Sequence, residues 1–142
     1  MIPVIAVVAR NTKSVMENKA TIKHIEFWVS NLERSIGFYE RIFGLIGWDK
    51  TESNAFNNGE TKIYFVEQNV KPEKTIGPRR ICFLVASQNV VDEVAGFLLK
   101  IQADIIRGPL ESKYNDRSSY TVDFRDPDGY IIEVATKSII LR

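Results

Sequence analysis

From Ile22 to Val29 polar and apolar residues alternate, placing Ile25, Phe27 and Val29 on one face of an extended chain and His24, Glu26 and Trp28 on the other. The period then lengthens. Leu32, Ile36, Tyr39 and Phe43 recur at helical spacing, Ser30 or Asn31 stands at the N-cap, Ser30 with Glu33 fits a capping box, and Gly44 supplies a stop. Ile46–Lys50, Ala55–Phe56 and Lys62–Glu67 read as short strands, with Asn57-Asn58-Gly59 as a hairpin turn between the last two. Lys71 to Pro78, with two prolines and a glycine, reads as a linker.

The same order then returns. Ile81, Phe83 and Val85 alternate with Arg80, Cys82 and Leu84. Ser87 or Asn89 caps a helix whose buried stripe is Val90, Val91, Val94, Phe97, Leu98 and Ile101. Ile105–Ile106, Ser119–Arg125 and Tyr130–Ala135 follow as strands, the last two joined by Asp126-Pro127-Asp128-Gly129. In that turn the proline presets φ at the second position and the glycine tolerates an unusual backbone. The copies are offset by 56 residues, from His24 to Arg80.

This repeat predicts an α+β fold of two βαβββ modules, each helix covering one face of its sheet and leaving the other free. The free face carries His24, Glu26, Trp28, Arg80 and Cys82, an odd set for a dry core. The expected boundaries are an N-terminal extension over 1–20, a first module over 21–70, a linker over 71–79, a second module over 80–137 and a tail over 138–142. The modules together make one domain. Met16 reads as a natural start, which makes the residues before it an upstream extension. Ile2–Val8 is rich in β-formers, so the alternative is an added strand at a sheet edge.

Composition narrows the function. The chain has 142 residues, of which 44% are hydrophobic and 26% charged, the balance of a globular protein rather than a disordered one. Nineteen basic residues against 18 acidic ones leave a net charge of +1, which gives no electrostatic footprint for nucleic acid or for an anionic membrane. Cys82 is the single cysteine, so no intrachain disulfide forms. The apolar opening Ile2–Ala9 lacks a basic n-region and runs straight into Arg10, Asn11 and Lys13, unlike a signal peptide. A cytoplasmic protein is expected. No Walker loop, G-x-G-x-x-G, H-E-x-x-H or paired-cysteine zinc motif occurs.

Two segments resemble the vicinal oxygen chelate superfamily, the group that includes glyoxalase I, methylmalonyl-CoA epimerase, extradiol dioxygenases, fosfomycin-modifying enzymes and bleomycin-binding resistance proteins. The first is Lys23-His24-Ile25-Glu26-Phe27-Trp28-Val29 with Asn31-Leu32 and Phe38-Tyr39. The second is Phe124-Arg125-Asp126-Pro127-Asp128-Gly129-Tyr130-Ile131-Ile132-Glu133. The resemblance covers about Thr21–Lys137. It implies a curved mixed sheet wrapped around a cavity for a small-molecule ligand, a homodimer, and metal ligands pointing inward from the first and last strands of each module.

Carried over residue by residue, the resemblance makes His24 and Glu133 metal-ligand candidates for one divalent ion (Zn, Ni, Mn or Fe). The equivalent of His24 in the second module is Arg80, which has no lone pair to give. Aligning Ile63-Tyr64-Phe65-Val66 with Ile131-Ile132-Glu133-Val134 puts Phe65 opposite Glu133, so two of four family positions carry ligands. Either a weakly held metal on His24 and Glu133, or the Arg80 guanidinium itself, supplies the positive charge. Glu26, Trp28, Phe65, Arg80 and Cys82 are the ligand-binding candidates, and Glu133 is the catalytic one. The function expected is small-molecule binding of the glyoxalase/bleomycin-resistance/dioxygenase type, with a lyase- or isomerase-like proton transfer if it is an enzyme. The alternative is a metal-free protein that sequesters an aromatic or anionic compound. For Glu133, the structural alternative is an ion pair with Arg80 that only joins the modules.

Overall fold

A computed structural model describes residues 19–71 and 80–140. The expected N-terminal extension up to residue 18, with its Ile2–Val8 strand, and the linker from 72 to 79 lie outside the described residues. The first module runs β1 (His24–Val29), α1 (Leu32–Leu45), β2 (Asp49–Glu52), β3 (Ala55–Asn57) and β4 (Lys62–Glu67). The second runs β5 (Arg80–Val85), α2 (Gln88–Lys100), β6 (Asp104–Tyr114), β7 (Arg117–Arg125) and β8 (Ile131–Thr136), followed by the short β9 (Ile139–Ile140). This is the α+β fold of two βαβββ modules in curved mixed sheets that the repeat predicts.

Each helix is the crossover that a parallel strand pair requires. β1 pairs with β4 in parallel, β5 with β8 in parallel, and the remaining pairs are antiparallel. The strand orders are β1-β4-β3-β2 and β5-β8-β7-β6, so the first strand of each module lies at a sheet edge. Strict alternation of burial along β1 and β5 follows from a sheet covered on one side only.

Helix ends explain several local departures. Asn31 is the N-cap of α1, its side chain accepting from the Arg34 amide, whereas Ser30 turns to Asp128 instead of closing a box with Glu33. The strand expected from Ile46 begins at Asp49, because Ile46 is the C-cap of α1 and Gly47 follows at φ +88°. β6 runs for 11 residues where only Ile105–Ile106 was expected. Its breaker pair, Gly108-Pro109, is absorbed as a register shift between Arg107 and Leu110. Gly108 sits at φ +93°, and a Cβ there would lie 2.4 Å from the Thr121 carbonyl oxygen.

The helix-covered faces of both sheets share one core. Phe27, Val29, Ile63 and Phe65 meet Tyr39, Ile42 and Phe43 of α1; Val122, Phe124, Ile132 and Val134 join the same cluster with Val91, Val94 and Leu98 of α2. Phe43 packs against Phe83 of the other module at 5.6 Å between ring centroids, and Phe38 against Phe124 at 6.1 Å. The Asp126–Gly129 turn completes the joint. Asp126 accepts from the Tyr39 hydroxyl, and Asp128 accepts from the Ser30 amide, the Ser30 hydroxyl and Arg34 at the start of α1. A carboxylate at a helix N-terminus satisfies orphan amides and complements the dipole. Burial raises the Asp126 pKa above the ordinary aspartate value, opposed by the hydrogen bonds it accepts from Tyr39, Tyr130 and Asp128.

Candidate functional site

The two sheet faces left free by the helices carry the chemistry. On the first sheet, β1 and β4 pair in a register that sets His24 beside Lys62, Glu26 beside Tyr64 and Trp28 beside Val66. The Trp28 indole N–H donates to Glu26, and Tyr64 also donates to it. These two bonds hold the Glu26 carboxyl below its usual range, with a smaller contribution from His24, and the same carboxylate pushes the Tyr64 phenol up. The His24 ring tilts over Tyr64 at 5.6 Å between centroids. Lys62 Nζ lies over the Tyr64 ring, 5.5 Å from its centre, and is paired with Glu52.

Phe65 is not part of this face. It is 0% exposed in the helix-covered core, against Tyr39 and Phe27. The register corrects the alignment of the modules by one residue: Glu26 pairs with Tyr64 as Cys82 pairs with Glu133, so Tyr64 holds the place equivalent to Glu133.

On the second sheet one row across the strands reads Cys82, Glu133, Asp123 and Arg107, each residue the register partner of the next. Arg80 reaches into this row from one pleat away. Its Nη1 lies 3.5 Å from Glu133 Oε1 and 3.5 Å from Asp123 Oδ2. Arg107 Nε donates to Asp123 Oδ2 at 2.9 Å, and its Nη1 donates to Ser112. The Thr121 hydroxyl donates to Glu133 Oε2 at 2.8 Å and lies 3.3 Å from Asp123 Oδ1. The four charges cancel, two guanidinium groups against two carboxylates.

Their depths differ. The side chains of Asp123 and Glu133 are 1% and 15% exposed, those of Arg80 and Arg107 both 40%. Such a buried carboxylate is tolerable only with donors on it, and Asp123 has two arginines. The Cys82 thiol is pushed up to about 11, first by desolvation and then by the Glu133 carboxylate, so it stays protonated at neutral pH.

The expected site residues thus fall into two groups. His24, Glu26 and Trp28 share the first face, and Arg80, Cys82 and Glu133 share the second. Asp123, Thr121 and Arg107 were missed by sequence reasoning. The Asp126–Gly129 turn could have revealed Asp123, because pairing Arg125 with Ile131 sets Asp123 across from Glu133. Arg107 had no such signal, since the shift at Gly108 breaks the alternation of its strand.

The metal expectation meets three obstacles here. The first is Arg80, which stands at the first-strand position of the second module, has no lone pair to give and sets its guanidinium 3.5 Å from both Glu133 and Asp123. The others are that Phe65 is buried in the core and that His24 lies on the other sheet face from Glu133. Among the described residues no group of three His, Cys, Asp or Glu side chains is placed to hold a metal ion. Nor is any described helix long and apolar enough to cross a membrane.

Comparison with known proteins follows the same lines. The profile of the Glyoxalase/Bleomycin resistance protein/Dioxygenase superfamily matches residues 21–134. A metallothiol transferase FosB of Lysinibacillus sphaericus is 32% identical over 123 residues, spanning 84% of this chain and 84% of that protein. A virulence protein of Salmonella typhimurium is 28% identical over 120 residues, 80% of this chain and 82% of that protein. The crystal structure of a glyoxalase candidate from Bacillus halodurans superposes with a TM-score of 0.71 at 24% identity, covering 86% of this chain and 99% of that one, which shows a common fold.

Proposed function

This chain belongs to the Glyoxalase/Bleomycin resistance protein/Dioxygenase superfamily, and on that footing we propose that it binds a small molecule against its open sheet faces without a resident metal. The observation that carries this reading is Arg80, whose guanidinium lies over Glu133 and Asp123 and supplies fixed positive charge at the first-strand position of the second module. A dication arriving there meets a guanidinium group before it meets a carboxylate.

The same reading makes the functional unit a homodimer. The helix-covered faces of the two modules meet each other in one core, so each open face points away from it. A cavity with two walls then takes the first module of one copy and the second module of another. In it Trp28 and Tyr64 supply aromatic surface while Arg80 and Glu133 supply charge. Edge strands β1 and β5 are the natural seam.

A second reading, proton transfer of the lyase or isomerase kind, draws on Glu133. Its carboxylate lies on the open face with one donor on each oxygen, so it keeps lone pairs for a substrate proton, and Arg80 beside it can stabilise developing negative charge. Elemental mass spectrometry on protein purified without tag or chelator, together with sedimentation velocity, tests the proposal. A dimer with metal far below one equivalent is the expected result. Near-stoichiometric metal that is lost in both His24→Ala and Glu133→Ala would overturn the metal-free reading, and a monomer would overturn the two-chain cavity.

A further inference from the structure

The second open face sorts its charges by depth, with both carboxylates beneath and both guanidinium groups above. A guanidinium has five N–H donors in a rigid fork. Among the described residues Arg107 spends Nε on Asp123 and Nη1 on Ser112, and Arg80 spends Nη1, at long range, on Glu133 and Asp123. Nη2 of Arg107, with Nη2 and Nε of Arg80, has no hydrogen-bond partner among the described residues. Asp123 contacts both groups from below, Arg107 through a 2.9 Å hydrogen bond and Arg80 at 3.5 Å, which orients the Arg107 fork and reduces the side-chain entropy that a ligand contact would otherwise cost.

We propose that Arg80 and Arg107 together form an oxyanion subsite, taking the carboxylate or phosphate group of a small ligand in the bridging position above Asp123. The proposal rests on the reading of this face as the ligand-binding one and adds the chemical class of the ligand. Arg107 becomes a specificity residue contributed by a strand that carries none of the expected site residues. Net charge does not attract the ligand, because the lattice is neutral; directed N–H groups with carboxylates recessed behind them do. Arg125, on the neighbouring row, does not compete, being paired with Asp104 at 3.4 Å. The thiol of Cys82 adds no charge.

Calorimetric titration of the full chain at fixed ionic strength with phenyl phosphate, benzoate and benzamide tests this, with amide chemical shifts locating each probe. The expected result is that at least one of the two anions binds about tenfold or more tighter than benzamide, shifts the amides of β5–β8, and loses that preference in Arg107→Gln. The stronger anion identifies the group as tetrahedral phosphate or planar carboxylate. Should Arg107→Gln fold poorly with Asp123 left short of a partner, the charge-balanced pair Arg107→Gln with Asp123→Asn must lose the preference too. Equal binding of all three probes on β5–β8, or a preference that survives in the variants, overturns the oxyanion subsite and leaves the open-face reading standing. No binding and no shift on either open face with any probe overturns both.

Discussion

The Tyr39 hydroxyl of the first module donates to Asp126 Oδ2 of the second at 2.7 Å, and both groups are buried. This bond ties the helix of one repeat to the turn of the other inside the shared core. Tyr39→Phe keeps the ring against Phe65 but removes a donor from a buried carboxylate, and should cost about 1–3 kcal/mol. Urea unfolding followed by near-ultraviolet dichroism gives the number; a midpoint equal to that of the parent would show that water replaces the hydroxyl.

The same carboxyl gives stability a specific pH dependence. Its folded pKa lies above the unfolded value of about 3.9, so through the window between the two the native state binds the proton more tightly than the unfolded chain. The contribution of Asp126 is therefore greatest below that window and is lost as pH rises through the folded pKa. Asp126→Asn should remove this descent. Urea midpoints from about pH 4 to about pH 7, compared as parent minus variant, should fall with pH and then level off; a rising difference would reverse the sign.

Gly108→Ala tests whether the shift in β6 is obligatory. A methyl group would meet the Thr121 carbonyl oxygen at 2.4 Å in a backbone at φ +93°, so a loss of about 2–4 kcal/mol is expected. Because Arg107 immediately precedes the shift, the variant should also disturb its bond to Asp123, visible as changed chemical shifts of the Arg107 side chain.

Cys82 should be slow toward alkylating reagents although it lies on an open face. With a pKa of about 11, only about one thiol in a thousand is ionised at pH 8. The alkylation rate should climb through the region near pH 11, whereas Glu133→Gln should move the midpoint down by removing the neighbouring negative charge. A parent midpoint near the free-cysteine value would mean that the site is wetter than the fold implies.

How far the sequence could be read follows from these residues. Alternation along Ile25–Val29 and Ile81–Val85 gave the core face of both leading strands, because a sheet covered on one side leaves that pattern undisturbed. It placed His24, Glu26, Trp28, Arg80 and Cys82 on open faces for the same reason. Phe65 was misassigned because a four-residue match between Ile63–Val66 and Ile131–Val134 looks equally good in two registers, and only the pairing with β1 separates them. The Arg107–Asp123 contact was hidden by a register shift, which no count of residues along one strand can anticipate. Charge sorted by depth is likewise a property of three dimensions.

The shared core also bears on what the duplication now permits. Phe83, on the leading strand of the second repeat, rests on Phe43 and Trp48 of the first, and Tyr130 stacks on Phe27 at 5.0 Å. Each half would expose these rings if it stood alone, so a chain severed between the repeats would leave apolar surface on both parts that only re-pairing covers. The two copies of one motif are thus joined through surface that each keeps dry for the other.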